Sequence, residues 1–440
     1  MNRKFFLLLA GSAVLSWVFF TPTNAFGQGN TWAGASLAQM VEGARWRLGV
    51  LRVNAAFSLS NVGYDSDVLY GYTAEPVPDY TLSAGVPIQV LLPLSKKVVL
   101  DLSDSPQYVF YLGTKYERAW NNTFGGHVHF AFDRVYVQLG GGLSDVRYRL
   151  SPELNVNVRQ KQDSLDGLVL WQVSKRASLA FVYGSAKYDL GEAEFGGVSL
   201  SDSLNRKEDY FNFITYIEPS PKVRFFVDGQ FGSYAFTKEE FRVRDARSYG
   251  IFGGGVEFIP KIGEQLATVA IEGSLRLGYQ RLDVIDSRFV DGSGFTGAAD
   301  VSVSFMKKNT ARAFFSRGFQ FSVFSGSSYY LSTAYGGGIS RLLSRKVTFS
   351  YDISFGRSSY PEDEAAGEGA PQGIHNLYTV HTFSLNFRLA RHLGLTFLGS
   401  LAKRSVDQTG LARNRNFFGF NLVYGSAGGT MSAPGGGLSR

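Results

Sequence analysis

Residues that could carry out chemistry are few in this sequence. The chain has five histidines and no cysteine, so a cysteine nucleophile and a cysteine-ligated metal site are both excluded. His127 and His129 share one face of a predicted strand and could bind a metal ion, but no third ligand is evident nearby. No GxSxG motif is present. We therefore expect a solvated histidine pair, with no catalytic residue, no metal and no cofactor, and we do not expect an enzyme.

One glycine-rich segment has the spacing of a nucleotide-binding loop. Residues 292–297 read Gly-Ser-Gly-Phe-Thr-Gly, which fits GxGxxG. That motif requires a helix immediately after the loop, whereas residues 300–305 alternate polar and apolar side chains as a strand does. We interpret the segment as a surface loop that binds no nucleotide.

The composition suits strands with one face in lipid. Charged residues make up 18% of the 440 residues, and glycine contributes 51, phenylalanine 37 and tyrosine 23. Typical proteins have about 25% charged residues and about 7% glycine. The mean hydropathy of −0.05 rules out a bundle of transmembrane helices. Low charge combined with abundant glycine and aromatic residues favours a transmembrane β-barrel over a soluble enzyme.

The amino terminus has the features of a secretory signal. Arg3 and Lys4 precede a mostly apolar run at residues 5–20, and small residues occupy the positions that a signal peptidase reads before Ala25. We expect a signal peptide at residues 1–25, cleaved after Ala25; an uncleaved anchor is the alternative. Residues 26–45 then form a periplasmic lead-in.

The lead-in has helical spacing near its end. Leu37, Met40, Val41 and Ala44 recur at helical intervals within residues 35–45. A short periplasmic or pore-entry helix is one interpretation, and a flexible segment is the other.

The remainder of the chain alternates apolar and polar residues with a period of two. Residues 347–356, 269–280 and 382–389 show this alternation, and successive side chains of a strand point to opposite faces. A soluble β-sandwich also alternates. Here, however, the polar face carries charges on many strands, as expected for lipid outside and water inside a barrel.

Short basic turns recur along this alternating region. They centre on Lys96, Arg134, Lys175, Pro221, Lys261, Lys308, Arg345 and Arg391. Longer polar segments lie between them, at residues 64–79, 151–163, 190–207, 237–247, 283–292, 358–373 and 405–415. The basic groups are spread over the hairpins rather than gathered on one face. We therefore expect no nucleic acid, and negatively charged surroundings at the periplasmic rim.

The alternation of short basic turns with longer polar segments predicts an all-β fold. We expect a transmembrane antiparallel β-barrel of about 18 strands, with short periplasmic turns and long extracellular loops. The barrel spans residues 46–424, and residues 425–440 form a flexible tail rich in glycine and serine. Sixteen strands is the main alternative, because the connection near residues 325–328 is short. Gly419, Leu422 and Tyr424 resemble the carboxy-terminal signal read by the barrel-assembly machinery, although they are not terminal.

The odd or even position of a residue along a strand, which we call its parity, decides the face it occupies. Parity assigns polar side chains to the lumen of the barrel. The charged residues predicted to line the pore are Arg52, Asp101, Arg224, Asp228, Glu257, Glu272, Arg276, Asp300, Asp352 and Arg388, with Gln230 and Gln320 beside them. Four arginines and six acids form no ring of one sign. Each residue is interpreted first as part of a structural cross-strand pair, and alternatively as a selectivity or sugar contact. A barrel this wide holds water, so a conduit is the default activity unless loops or the lead-in plug it.

Parity also predicts the lipid face. Leu275 and Leu277 should meet lipid while Glu272 and Arg276 meet water, so Leu277→Arg should impair assembly and Arg276→Leu should not. Arg317 is an exception, because it shares the lipid parity with Phe315, Phe319 and Phe321 at residues 315–321. A bulge or an incorrect register there would explain it.

Residues 51–68, Leu-Arg-Val-Asn-Ala-Ala-Phe-Ser-Leu-Ser-Asn-Val-Gly-Tyr-Asp-Ser-Asp-Val, resemble the start of the putative beta-barrel porin 2 family, whose first strand runs into a Tyr-Asp-Asp-Asn-like loop. The Leu-Ser-Lys-Lys and Val-Ser-Lys-Arg turns also resemble that family. The resemblance implies an outer-membrane barrel of a Gram-negative-type bacterium that carries exopolysaccharide across the outer membrane. It assigns no functional residue.

The implied partners follow from this location. They are outer-membrane lipid, lipopolysaccharide and the barrel-assembly machinery, and, for an export role, polysaccharide and periplasmic export components. Two alternatives to export remain. One is a general diffusion porin, and the other is a closed surface barrel with adhesive or structural loops.

Overall fold

The computed structural model describes residues 33–69, 75–149, 157–195, 198–258, 269–287, 289–322, 328–360, 376–406 and 413–425. The predicted signal peptide, almost all of the predicted tail, the turn at Lys261 and parts of several long connections lie outside these residues. Among the described residues, no helix has the length and apolar character needed to cross a membrane.

Eighteen strands, β1–β18, follow one another along the chain. Their bounds are Leu51–Asp65 (β1), Asp79–Gly85 with Ile88–Pro93 (β2), Val98–Asp104 with Gln107–Tyr111 (β3), Ala119–Ala131 (β4), Val135–Arg149 (β5), Asn157–Ser174 (β6), Ala177–Leu190 (β7), Arg206–Ser220 (β8), Val223–Phe236 (β9), Ala246–Phe258 (β10), Val269–Val284 (β11), Gly292–Phe305 (β12), Asn309–Phe321 (β13), Tyr329–Ser344 (β14), Val347–Ser359 (β15), Asn376–Ala390 (β16), Leu393–Val406 (β17) and Arg413–Gly425 (β18).

Smaller elements accompany the strands. Helix α1 spans Ala33–Glu42 and helix α2 spans Leu200–Leu204. Two 3-10 helices lie at Lys115–Glu117 and Glu239–Arg244. A short strand at Trp46–Leu48 pairs with the start of β1, and Glu194–Phe195 pairs with Val198–Ser199.

The strands close into a barrel. Each pairs antiparallel with its neighbours in sequence, and β1 pairs with β18 through partners such as Phe57 and Tyr424. Closure leaves these strands without an unpaired edge, which is what a bilayer demands of a spanning sheet. The predicted barrel is confirmed, with 18 strands rather than 16.

The connections differ between the two ends. Seven described connections at one end contain two to four residues, and they are the predicted basic turns. At the turn between β4 and β5, for example, the amide of Phe132 donates to the carbonyl of Val135 at 2.8 Å. We call this the periplasmic end and the opposite end the extracellular end, following the pattern of outer-membrane barrels.

Successive side chains alternate between an outer and a lumen-facing surface. In β7, Phe181 and Tyr183 are exposed whereas Ala180 and Val182 are buried. Buried side chains from β2 to β9 converge with Leu37 of α1 in one cluster. Because only the concave face of a curved sheet lets many strands converge on one helix, the buried set faces the lumen and the exposed apolar set faces lipid.

A bulge in β1 reverses this alternation. The register shifts between Leu59 and Val62, Asn61 has a φ of 52°, and its amide donates to Asn421 Oδ1 at 2.8 Å. Asparagine tolerates this left-handed conformation better than most residues. The extra residue turns Asp65 into the protein and Tyr64 outward.

Candidate functional site: the barrel lumen

Ion pairs connect strands that are adjacent or two apart on one side of the lumen. Arg224 of β9 donates to Glu218 of β8 at 2.9 Å and to Glu257 of β10 at 3.3 Å. Arg276 of β11 makes a two-nitrogen contact with Asp228 of β9, with Nη2 at 2.7 Å and Nε at 3.1 Å from Oδ2. Each arginine side chain is nearly covered.

A third pair continues this arrangement on the next two strands. Arg312 of β13 donates through Nε to Asp300 of β12 at 2.7 Å, and its Nη2 contacts the second carboxylate oxygen. We call these three groups, on β8–β13, the paired-charge band. The carboxylates and guanidinium groups neutralise one another locally, so the band forms no ring of one sign.

Five of the ten predicted charged residues belong to this band: Arg224, Asp228, Glu257, Arg276 and Asp300. Its other two members, Glu218 and Arg312, were missed by the sequence prediction. Arg312 alternates with Ala311 and Ala313, so parity alone could have identified it. Glu218 lies so close to a turn that its alternation is hard to read.

The other predicted residues are scattered. Arg52 folds back onto the carbonyl of Gly49 at 2.7 Å, and Asp101 accepts from the Gln89 amide at 3.0 Å. Glu272, Asp352 and Arg388 lie on the lumen parity of β11, β15 and β16. The predicted set is therefore distributed along the wall rather than gathered into one site.

Of the two glutamines predicted to face the lumen, Gln230 does so and Gln320 does not. Gln230 is buried on the lumen parity of β9. Beyond Arg317, β13 no longer pairs with β12, and Phe321 packs against Tyr234 with ring centroids 4.7 Å apart. The prediction that Phe319 and Phe321 face lipid is wrong, and Gln320 points away from their cluster. Strand β13 thus separates from β12 at Arg317, the residue that did not fit the predicted apolar face.

An apolar sector lines part of the lumen, which parity did not predict. Near the periplasmic end, lumen-facing side chains form a patch that includes Leu91, Leu168, Leu170, Ile214 and Phe226. Helix α1 lies on this periplasmic apolar patch. It buries Leu37 to 5% exposure and packs Met40 and Val41 against it. The burial of these apolar side chains holds the helix inside the barrel.

The extracellular end of the same sector is also filled. Leu200 and Leu204 of α2 pack with Val158, Tyr188 and Leu190 on the lumen faces of β6 and β7. The connection between β7 and β8, which contains α2, therefore folds inward over the lumen at this end.

Arg244 joins three extracellular segments. Its side chain is 1% exposed and lies over the Phe236 ring, 5.2 Å from the centroid. Nη1 donates to the carbonyl of Ser203 at 3.3 Å, and Nη2 contacts the carbonyls of Ser322 and Ser328. Burial raises the pKa of the adjacent Asp245 carboxyl, although the Phe236 amide and Arg242 act in the opposite direction.

The lumen faces of β14–β17 are polar, and we call them the polar sector. Small hydroxyl and amide side chains alternate there with exposed apolar residues such as Ile339, Phe349 and Phe383. Its members include Ser340, Thr348, Ser350, Ser354, Ser384, Asn386, Thr396 and Ser400. The lumen thus has one apolar sector, covered by α1 and the loops, and one polar sector.

The two histidines face the lumen from β4. His127 Nε2 lies 3.2 Å from Asp166 Oδ1, and His129 Nδ1 lies 2.8 Å from the hydroxyl of Tyr136. The expectation of a solvated pair is wrong for His129, which is 6% exposed. Among the described residues, no group of three or more potential metal ligands occurs.

A closed 18-stranded sheet with an apolar exterior and a partly polar interior defines the class as an outer-membrane β-barrel porin. The family model described as putative beta-barrel porin 2 matches residues 177–424, more than half of the chain. The chain therefore belongs to that family. A search of curated proteins gave no match.

Two solved structures are similar to this chain at low sequence identity. The outer membrane protein OpdK from Pseudomonas aeruginosa is 10% identical, with a TM-score of 0.50, and the match covers 86% of this chain and 100% of that one. OccAB3 from Acinetobacter baumannii is 9% identical, with a TM-score of 0.49, and the match covers 85% and 99% of the two chains. At this identity, the likeness to OpdK shows the fold alone.

Proposed function

We propose that this protein is an outer-membrane diffusion channel for polar solutes, with the polar sector as the solute path. The observation that carries the proposal is the divided lumen: the helix and loops cover the apolar sector, while hydroxyl and amide groups line β14–β17. The half-buried members Ser340, Ser350 and Asn386 can exchange hydrogen bonds with water and with a passing solute. The proposed role is transport rather than catalysis. The mature protein would lie in the outer membrane of a Gram-negative-type bacterium after its signal peptide is cleaved.

The paired-charge band supports weak ion selectivity. Strong selectivity requires charges of one sign around a constriction, whereas Arg224, Arg276 and Arg312 each have a carboxylate partner. We therefore expect permeation of both small anions and small cations, with solute size as the main filter.

Conductance in planar bilayers tests the channel. The full-length mature protein should conduct with weak selectivity, and a variant lacking residues 26–44 should conduct more. If neither protein conducts, the channel is contradicted and a closed surface barrel becomes the better account. Removing residues 26–44 separates a barrel that is plugged by α1 from one that is closed throughout.

Exopolysaccharide export is the second candidate, and the family resemblance is its source. The lack of a ring of charges of one sign in the paired-charge band is compatible with it. A hydrated neutral polymer would pass paired charges without a large electrostatic penalty. A deletion strain that still synthesises the polymer but lacks it at the surface would support export, whereas normal surface polymer would favour general diffusion.

A further inference from the structure

The periplasmic end carries a ring of exposed cations. In the seven described tight turns, eleven lysines and arginines are exposed. We call them the periplasmic cationic belt: Lys96, Lys97, Arg134, Lys175, Arg176, Lys222, Lys307, Lys308, Arg345, Lys346 and Arg391. These turns contain one acid, Asp133, which lies 3.4 Å from Lys97. Desolvation, together with the charges of Arg45 and Arg391, lowers the pKa of His392 in the last of these turns.

An exposed apolar side chain precedes the cations at every one of these turns. In most cases it stands one or two residues before the first cation. These side chains are Leu94, Phe132, Val173, Ile217, Met306, Leu343 and Leu389, and each is more than 40% exposed. They mark where the lipid-facing surface ends.

This spacing places the cations at the depth of lipid headgroups. A strand rises about 3.3 Å per residue and tilts by about 40° in such barrels. Two residues therefore advance about 5 Å along the membrane normal. Each headgroup layer is roughly 5–7 Å thick, since a bilayer measures about 40–45 Å in total and its hydrocarbon core about 30 Å.

The opposite rim has a different charge pattern. There, outward-facing bases have acidic neighbours: Arg159 lies 2.6 Å from Asp145 and Lys187 lies 2.8 Å from Asp189, while Lys207 lies 3.1 Å from Asp209. These described extracellular bases are thus paired with acids, whereas the seven described periplasmic turns contain eleven cations and one acid.

We propose that the periplasmic cationic belt binds the anionic headgroups of phospholipids in the inner leaflet of the outer membrane. The belt follows the described turns around the barrel, which suits a ligand that surrounds the barrel. A protein docked on one side would contact only one sector. The inference depends on the position of the barrel in the membrane and is independent of the solute it conducts.

Trp171 allows the site to be tested at one place on the rim. It faces outward on β6, is 46% exposed and pairs across the sheet with Val135, the residue after Arg134. The backbone hydrogen bonds from Gln172 to Arg134 and from Glu218 to Arg176 place the neighbouring turns beside it. Quenching of Trp171 by lipids with brominated acyl chains therefore reports which lipid occupies this rim.

The experiment uses the mature protein with Trp171 as its one tryptophan, folded into vesicles of phosphatidylcholine and phosphatidylglycerol. When phosphatidylglycerol carries the bromine, it should quench with an apparent preference of about fivefold over phosphatidylcholine. Salt at about 0.5 M should reduce that preference strongly, because it screens the interaction. Inorganic phosphate at low concentration should not, since a single free anion is a poor competitor for a lipid held in the bilayer.

Two matched variants localise the effect. Replacing Arg134, Lys175, Arg176 and Lys222 with glutamine should abolish the preference at Trp171. Replacing Lys307, Lys308, Arg345 and Lys346 with glutamine removes four cations on distant strands and should leave it unchanged. Equal quenching by both lipids in the parent protein, or an unchanged preference in the first variant, would overturn the proposal. If that variant fails to fold, a salt-independent preference in the parent protein would overturn it.

Discussion

At the scale of single residues, parity identifies which side chains face the lumen but not which of them are coupled. Arg276 was predicted from its alternation with Leu275 and Leu277, and the structure places it on the lumen parity. Its two-nitrogen contact with Asp228 joins strands that are two apart in the sheet. No pattern along one strand can reveal such a pair, because the partner depends on the register of the strands between them.

The Arg276 contact changes one expectation from the sequence. Arg276→Leu should destabilise the barrel by about 3 kcal/mol, because it leaves Asp228 buried beside an apolar side chain. Urea titration of the protein in lipid vesicles would measure this loss. The matched control is Arg281→Leu on the same strand, where an exposed ion pair contributes little. Equal stability of both variants would show that Asp228 is hydrated without its partner.

Arg244 should hold the extracellular segments together. Arg244→Met removes charged hydrogen bonds to buried carbonyls, a loss of about 2 kcal/mol, which corresponds to roughly 30-fold more opening. Cleavage after Lys238 by a lysine-specific protease on intact cells would report that opening. Arg242→Met changes an exposed arginine in the same 3-10 helix and should leave the cleavage rate unchanged. Similar rates for both variants would contradict the joining role.

At the scale of elements, the strands were predictable because the lipid face must be apolar and the turns are basic and short. The apolar sector was not predicted. Strands such as β6, where Leu168 and Leu170 alternate with Val169 and Trp171, are apolar on both faces. Apolar side chains on both faces of a strand indicate that another element packs against its lumen face. The alternation rule does not use this feature, because it looks only for one apolar face.

Helix α1 gives the prediction that belongs to this scale. Leu37→Asp should release the helix from the periplasmic apolar patch, because burying Leu37 contributes about 2 kcal/mol and a buried charge opposes packing. Conductance should then approach that of the protein lacking residues 26–44. Gln39→Asp, at an exposed position of the same helix, should leave conductance unchanged. If Leu37→Asp also leaves it unchanged, α1 does not obstruct the channel.

At the scale of the whole molecule, closure of the sheet dominates stability. Every spanning strand has two hydrogen-bonded neighbours, so partial unfolding would expose backbone groups to lipid at a cost of several kcal/mol each. The unheated protein should therefore migrate in SDS gels as a compact species, and heating should shift its mobility. Identical migration before and after heating, together with a helical circular dichroism spectrum, would contradict the barrel.

The divided lumen is the central claim, and cysteine accessibility tests it most directly. The chain contains no cysteine, so each introduced thiol is unique. Ser350 faces the polar sector and its neighbour Phe349 faces lipid. A charged, water-soluble thiol reagent should label Ser350→Cys in an open bilayer channel and lower its conductance, while Phe349→Cys conducts as before. Loss of conductance with Phe349→Cys, or none with Ser350→Cys, would contradict the proposed solute path.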